Sequence, residues 1–263
     1  VLRERVASAI VGVPAILVLI YFGGNAYMIA AAAMLALAAA EFQHITREWL
    51  DPVCLLTAAL VAGIAVGARA GGGVWFVWLA AAALIAPLAA LIVPTKDGHI
   101  IDTLWALGGI TYVGFLGSFI VLLRYIDTDA RSWVYIAVLG TFATDTAAYF
   151  IGRRFGKHKL APRISPKKTI EGLIGGYVGG LATVAVLAYA FDLGVRPVQV
   201  TSIGVLLPTV AAFGDLAESA VKRAAGIKDT SEIIPGHGGI LDRLDSILFA
   251  FAMVYLFTQL LVY

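Results

Sequence analysis

The chain has 263 residues, 60% of them hydrophobic and 14% charged, with a mean hydropathy of +0.91. An ordinary soluble domain has about 45–50% apolar and about 25% charged residues, so a soluble globular protein, a disordered tail and a collagen-like fibre are all excluded. The charges nearly balance at +2, no nucleic-acid partner is expected, and the informative quantity is where along the chain the charges sit.

A bilayer span needs about 20 mainly apolar residues, so nine spans take about 180 positions and leave roughly 80 for loops and ends. In chain order the hydropathy predicts spans at about 7–22, 26–40, 53–68, 74–93, 104–123, 132–151, 170–190, 198–213 and 246–262. Uninterrupted apolar runs favour helices over a barrel, whose strands alternate polar and apolar residues. The expected fold is therefore all-α, a polytopic integral membrane protein with about nine transmembrane helices. The first run follows Arg3 and Arg5 and reads as a retained helix, because no small-x-small cleavage site stands out and eight more runs follow it. The lone Cys54 gives no sign of an oxidised exterior.

With nine spans, the N-terminus shares a side with the loops after spans two, four, six and eight. That side carries 15 of the Lys and Arg residues, and the other carries 4, namely Arg69, Arg124, Arg131 and Arg196. This bias predicts a cytoplasmic membrane protein with its N-terminus inside and its C-terminus outside. Trp75, Trp78, Trp105 and Trp133 lie near predicted span ends, as interfacial anchors do. The character of the sequence changes near residue 130: residues 1–130 read as a transmembrane scaffold of spans one to five, with scattered loop charges such as Glu41, Arg47, Asp97 and Asp102. Residues 131–263, with two long polar cytoplasmic loops, read as the catalytic region.

The first loop carries Arg153, Arg154, Lys157, Lys159, Arg163, Lys167 and Lys168. Such a loop sets topology and attracts anionic lipid by default. The run Ser165-Pro166-Lys167-Lys168-Thr169 adds hydroxyl and ammonium groups just ahead of span seven, where free N–H groups and the helix dipole favour a phosphate. Asp145, at membrane depth in span six, should face either a partner such as an arginine of the loop or a bound cation or nucleotide. Gly172, Gly175, Gly176, Gly179 and Gly180 provide small-xxx-small spacings for close helix approach.

In the second loop, continuation of span eight as a helix would place Asp215, Glu218, Ser219 and Lys222 on one face, at i, i+3, i+4 and i+7. Asp242 and Asp245 repeat the i, i+3 spacing before span nine, and the two acidic pairs are expected to converge on one polar pocket. Clustered carboxylates with phosphate nearby suit Mg²⁺. Internal salt bridges with Lys222, Arg223, Lys228 and Arg243 are the plainer alternative. Between the pairs lies Pro235-Gly236-His237-Gly238-Gly239, whose glycines let backbone N–H groups approach a ligand.

Ser219-x-Val221-Lys222-Arg223, four residues, Lys228-Asp229-x-Ser231, two residues, and Ile234-Pro235-x-His237-Gly238-Gly239-Ile240-x-Asp242-Arg243-Leu244-Asp245 make a run of 27 residues. This run resembles the signature of phosphatidate cytidylyltransferases, also called CDP-diacylglycerol synthases, and the SPKKTIEG run at Ser165 to Gly172 resembles that family as well. The resemblance implies a membrane enzyme that condenses CTP with phosphatidic acid to CDP-diacylglycerol and pyrophosphate, requires Mg²⁺ and forms a homodimer; a second, monovalent cation is left open. On this view Asp215, Asp242, Asp245, Glu218 and Asp145 are the metal ligands. Lys167, Lys168, Lys222, Arg223, Lys228 and Arg243 bind phosphates, while Ser165, Thr169, Ser219, Gly238 and Gly239 complete the substrate site. His237 either donates to the departing pyrophosphate or fixes the Gly-rich loop. Two rival readings are a transporter, disfavoured because the charges lie at one face rather than at the midplane, and cytidylyl transfer to an ether-linked isoprenoid phosphate.

Overall fold

The computed structural model describes residues 2–94, 98–231, 233 and 238–262, with side chains from residue 12 onward. Among these residues the helices are α1 (Leu2–Phe22), α2 (Gly24–His44), α3 (Pro52–Ala70), α4 (Gly72–Ile92), α5 (His99–Arg124), α6 (Ala130–Phe155), α7 (Ile170–Ala190), α8 (Pro197–Ala224) and α9 (Leu241–Val262). Eight of them are long and apolar enough to cross a membrane, and Gly12–Phe22 of α1 is a shorter apolar stretch. The chain is thus a polytopic all-α membrane protein. Its helix ends follow local chemistry: Gly23 at φ 62° and Gly71 at φ 75° take left-handed turns that side chains resist. Asp51 accepts from Val53 N at 2.8 Å with Pro52 at the first helical position of α3.

The chain divides into two compact units, residues Val1–Tyr125 with Asp229–Leu244, and Ile126–Lys228 with Asp245–Tyr263. The segment 229–244 thus belongs with α1–α5, so the compact units are not the two sequence halves split near residue 130.

In the first unit, α3 packs between α2, α4 and α5 around Leu35, Val61, Ile64, Ile110, Val113 and Val121, all fully buried or nearly so. Residues Gly109–Phe115 of α5 form a π-helical stretch. Gly109 and Gly114 stand there against Thr57, Val61 and Ile64, where an added Cβ would sit 3.0–3.3 Å from their side chains. Arg47, at 9% exposure, ion-pairs with Asp102 at 2.8 Å and Asp51 at 3.0 Å. Arg47 and Asp102, read from sequence as loop charges, therefore tie the end of α2 to α5 in a buried cluster.

In the second unit α6, α7 and α8 pack side by side. A Cβ at Gly175 would lie 2.6 Å from Ile151, one at Gly179 2.6 Å from Ala147, and one at Gly180 2.6 Å from Pro208, which is the close approach expected of these glycines. Trp133, expected as an interfacial anchor, is instead fully buried with Val134, Ile136 and Ala137. A span-end position does not decide which face of a helix a residue occupies, and Trp133 faces the unit's interior.

The basic loop is more ordered than its sequence suggested. Strand β1 (Lys159–Ala161) pairs antiparallel with β2 (Ser165–Thr169), matching Lys159 with Thr169 and Ala161 with Ser165. A lone two-stranded hairpin is marginal in water, and here Glu171 steadies it. Its carboxylate accepts from Lys157 N and His158 N at 3.1 and 3.2 Å and meets His158 Nδ1 at 2.6 Å. Gly172 lies so close to α6 that a Cβ would be 2.9 Å from Ala148 O.

Candidate active site

Helix α8 continues to Ala224, beyond the apolar run that ends near 213, so Asp215, Glu218, Ser219 and Lys222 are helical and share a face. Lys168, carried by β2, ion-pairs with Asp215 Oδ2 at 2.6 Å. Ser219 Oγ donates to Asp215 Oδ1 at 3.3 Å. Asp245, in the first turns of α9, lies within electrostatic reach of Asp215, Lys222 and Lys168. The approach of α9 to α8 depends on Gly214, whose added Cβ would stand 2.4 Å from Asp245 O. The second unit therefore brings together Lys168, Asp215, Ser219 and Asp245. One turn on, the buried Glu218 accepts from Lys222 Nζ at 2.7 Å.

The resemblance implies Mg²⁺, and the residues present bear on whether that ion fits here. Among the described residues no three His, Cys, Asp or Glu side chains form a ready-made cage. Mg²⁺ does not need one: it keeps waters and binds through one or two carboxylates plus substrate phosphates. Asp215 and Asp245 supply hard oxygens of that kind. Two carboxylates at close range repel, and the Lys168 ammonium offsets that repulsion.

In the first unit, Asp242 holds Thr230 and Gly239. Its Oδ2 accepts from Thr230 N at 3.1 Å, Thr230 Oγ1 at 3.0 Å and Gly239 N at 2.8 Å. Gly238 adopts φ +79°, and a Cβ there would stand 2.7 Å from Asp242 Oδ2. The Gly239 N–H, which the sequence suggested for a phosphate, is given to Asp242.

Thr169 is buried and caps α7, its hydroxyl accepting from Gly172 N at 3.1 Å. Ser165 is half-buried on β2, and Lys167 beside it is exposed. Arg223 and Lys228 are exposed, with Arg223 Nη1 donating to Ile227 O at 3.1 Å. Arg243 is exposed on the first turn of α9. Asp145 lies on an exposed face of α6. His237, with Pro235 and Gly236, lies outside the described residues.

In the sequence Glu41 reads only as a scattered loop charge of the scaffold. This fully buried carboxylate accepts from Ser231 Oγ at 2.7 Å, Ile240 N at 2.9 Å and Leu241 N at 2.7 Å. The available signal was a lone carboxylate directly after an apolar Ala-rich run. Its partners, 190–200 positions away, leave no trace in the local pattern.

The fold and site define a polytopic membrane protein with lysine, hydroxyl and carboxylate groups gathered at the ends of its helices, an arrangement suited to anionic phosphates. The chain belongs to the cytidylyltransferase family, whose profile matches residues 3–261. It is 32% identical over 96% of its length to 97% of a Staphylococcus haemolyticus protein named phosphatidate cytidylyltransferase. Relatives of the same name from Bacillus subtilis and Brucella suis are 38% and 43% identical over 55% and 58% of this chain. Those two matches span about half of the relatives' own lengths, 54% and 56%.

Proposed function

We propose that this chain transfers a cytidylyl group from CTP to phosphatidic acid, giving CDP-diacylglycerol and pyrophosphate. The observation that carries the reading is the Lys168–Asp215–Asp245 cluster at the ends of apolar helices, in a member of the cytidylyltransferase family. Full-length similarity to a protein named for this activity supports the lipid acceptor.

The chemistry asks little of a general base. Phosphatidic acid is a phosphate monoester with a second pKa of about 6, so at neutral pH its phosphate is largely dianionic. One of its oxygens attacks the α-phosphorus of CTP. The new P–O bond forms as the bond to the bridging oxygen of the β-phosphate breaks, and pyrophosphate leaves with that electron pair. Bringing two polyanions together is the obstacle, and Lys167, Lys168, Lys222, Arg223, Lys228 and Arg243 are assigned to their phosphates. Asp215 and Asp245 would hold Mg²⁺, and the family-like signature assigns Asp242 to the same chemistry. Bound there, Mg²⁺ would neutralise phosphate oxygens in the transition state. Ser165 and Ser219 act as hydrogen-bond donors, since direct attack needs no covalent intermediate. The Lys and Arg bias supports a cytoplasmic face for this site, with the N-terminus inside and the C-terminus outside. A homodimer belongs to the same proposal.

The test is direct. Purified protein in detergent, given labelled CTP, Mg²⁺ and phosphatidic acid, should form CDP-lipid and pyrophosphate in equal amounts, and EDTA should stop the reaction. An ether-linked isoprenoid phosphate is run as a competing acceptor, and preference for it would replace the diacyl substrate. Absence of CDP-lipid with both acceptors would refute the assignment.

A further inference from the structure

We infer that Glu41 is a positioning residue for the proposed cytidylyl transfer, holding Ser231, Ile240 and Leu241 in the arrangement that presents Asp242; this role rests on the reading above. Glu41 sits in the last turn of α2 at 0% exposure. A carboxylate at such a depth is costly unless its oxygens are matched by donors. Here they are matched: Oε1 accepts from Ser231 Oγ and Ile240 N, and Oε2 accepts from Leu241 N. Ile240 and Leu241 directly precede Asp242, and Ser231 adjoins Thr230, which donates to Asp242. The positive end of the α9 dipole adds to the match.

The two carboxylates divide the backbone between them. Gly239 N is taken by Asp242, and the next two N–H groups, of Ile240 and Leu241, are taken by Glu41. Thr230 donates to Asp242 and the adjacent Ser231 donates to Glu41. Thr230 and Ser231 on one side, and Gly239 to Leu241 on the other, are thereby fixed in direction as well as in position. Gly239 fits between them because it lacks a side chain: a Cβ there would stand 2.3 Å from Thr230 Oγ1 and 2.6 Å from Glu41 Oε2. An apolar residue at position 41 would fill the space equally well but leave three donors without acceptors. The carboxylate is what these donors require.

The experiment replaces Glu41 by Gln in the full chain, purified in detergent. Gln keeps the size and one acceptor oxygen but turns an NH₂ group toward a backbone donor. Losing charge-assisted hydrogen bonds should lower kcat/KM for CTP by about tenfold or more. The Mg²⁺ activation curve should move to higher concentration, and hydrogen exchange at the Ile240 and Leu241 amides should quicken. Glu41→Asp, which keeps the charge but not the reach, should fall between the two. An unchanged Mg²⁺ curve and unchanged amide exchange in Glu41→Gln, with only a lower melting temperature, would overturn the role. Should Glu41→Gln not fold, Ser231→Ala removes one donor and should shift both readouts in the same direction by less; no shift in either overturns the inference. Should wild-type protein make no CDP-lipid, the reaction assignment fails by itself, and the amide exchange alone decides whether Glu41 holds Ile240 and Leu241.

Discussion

Asp215→Asn separates a metal-binding role from a structural one, because the two roles predict different magnitudes. The substitution removes the charge that faces Lys168 at 2.6 Å and keeps an oxygen for the Ser219 hydroxyl. The side chains of the pair are 22% and 33% exposed, so solvent screens the interaction and its contribution to stability is at most about 1 kcal/mol. For a chain of this size that corresponds to a melting-temperature loss of about 2–4 °C. A carboxylate that holds a catalytic cation contributes several kcal/mol of transition-state stabilisation. A loss of about 3–4 kcal/mol is a fall in kcat of about 10²–10³. Thermal unfolding followed by tryptophan fluorescence, together with CDP-lipid formation from labelled CTP at saturating Mg²⁺, measures both quantities on one preparation. Turnover within about threefold of wild type would refute the metal role. A large loss of melting temperature with a matching loss of activity would make the Lys168–Asp215 pair structural.

Alanine at Lys167 and Lys168 should reduce kcat/KM strongly, whereas alanine at Arg153 or Lys159 should have little effect, since Lys168 is the one held at Asp215; equal losses at all four positions in the same assay would indicate a diffuse field instead. Single cysteines at the exposed positions Arg163 and Asp127, made in a Cys54→Ser background, should react with an impermeant thiol reagent from the cytoplasmic side and the outer side respectively. Labelling of position 163 in intact cells would reverse the orientation. Gly214→Ala would place a Cβ 2.4 Å from Asp245 O and should cost about 1–3 kcal/mol through overpacking, read as a lower melting temperature with reduced turnover; an unchanged melting temperature would show that α9 yields freely.

The spans were legible in the sequence because their cause is local. Lipid offers no partners to backbone N–H and C=O groups, so each apolar run must satisfy its own as a helix. The run read at 170–190 is α7 (Ile170–Ala190). The i, i+3, i+4, i+7 grouping of Asp215, Glu218, Ser219 and Lys222 was equally readable, since helix geometry alone puts such residues on one face. What the sequence did not disclose depends on contacts between distant elements. Lys168 meets Asp215 from β2, which pairs with β1 and is followed by the Glu171 clamp on Lys157 and His158. Trp133 looked like an anchor until packing turned it inward. Glu41 looked like a loop charge, and Gly239 looked like a phosphate-binding amide, until the return of residues 229–244 to the first unit brought the carboxylate to Ile240 and Leu241. Hydropathy and helical period are fixed by near neighbours, but the acceptor that a buried donor finds is fixed by which distant segment folds against it.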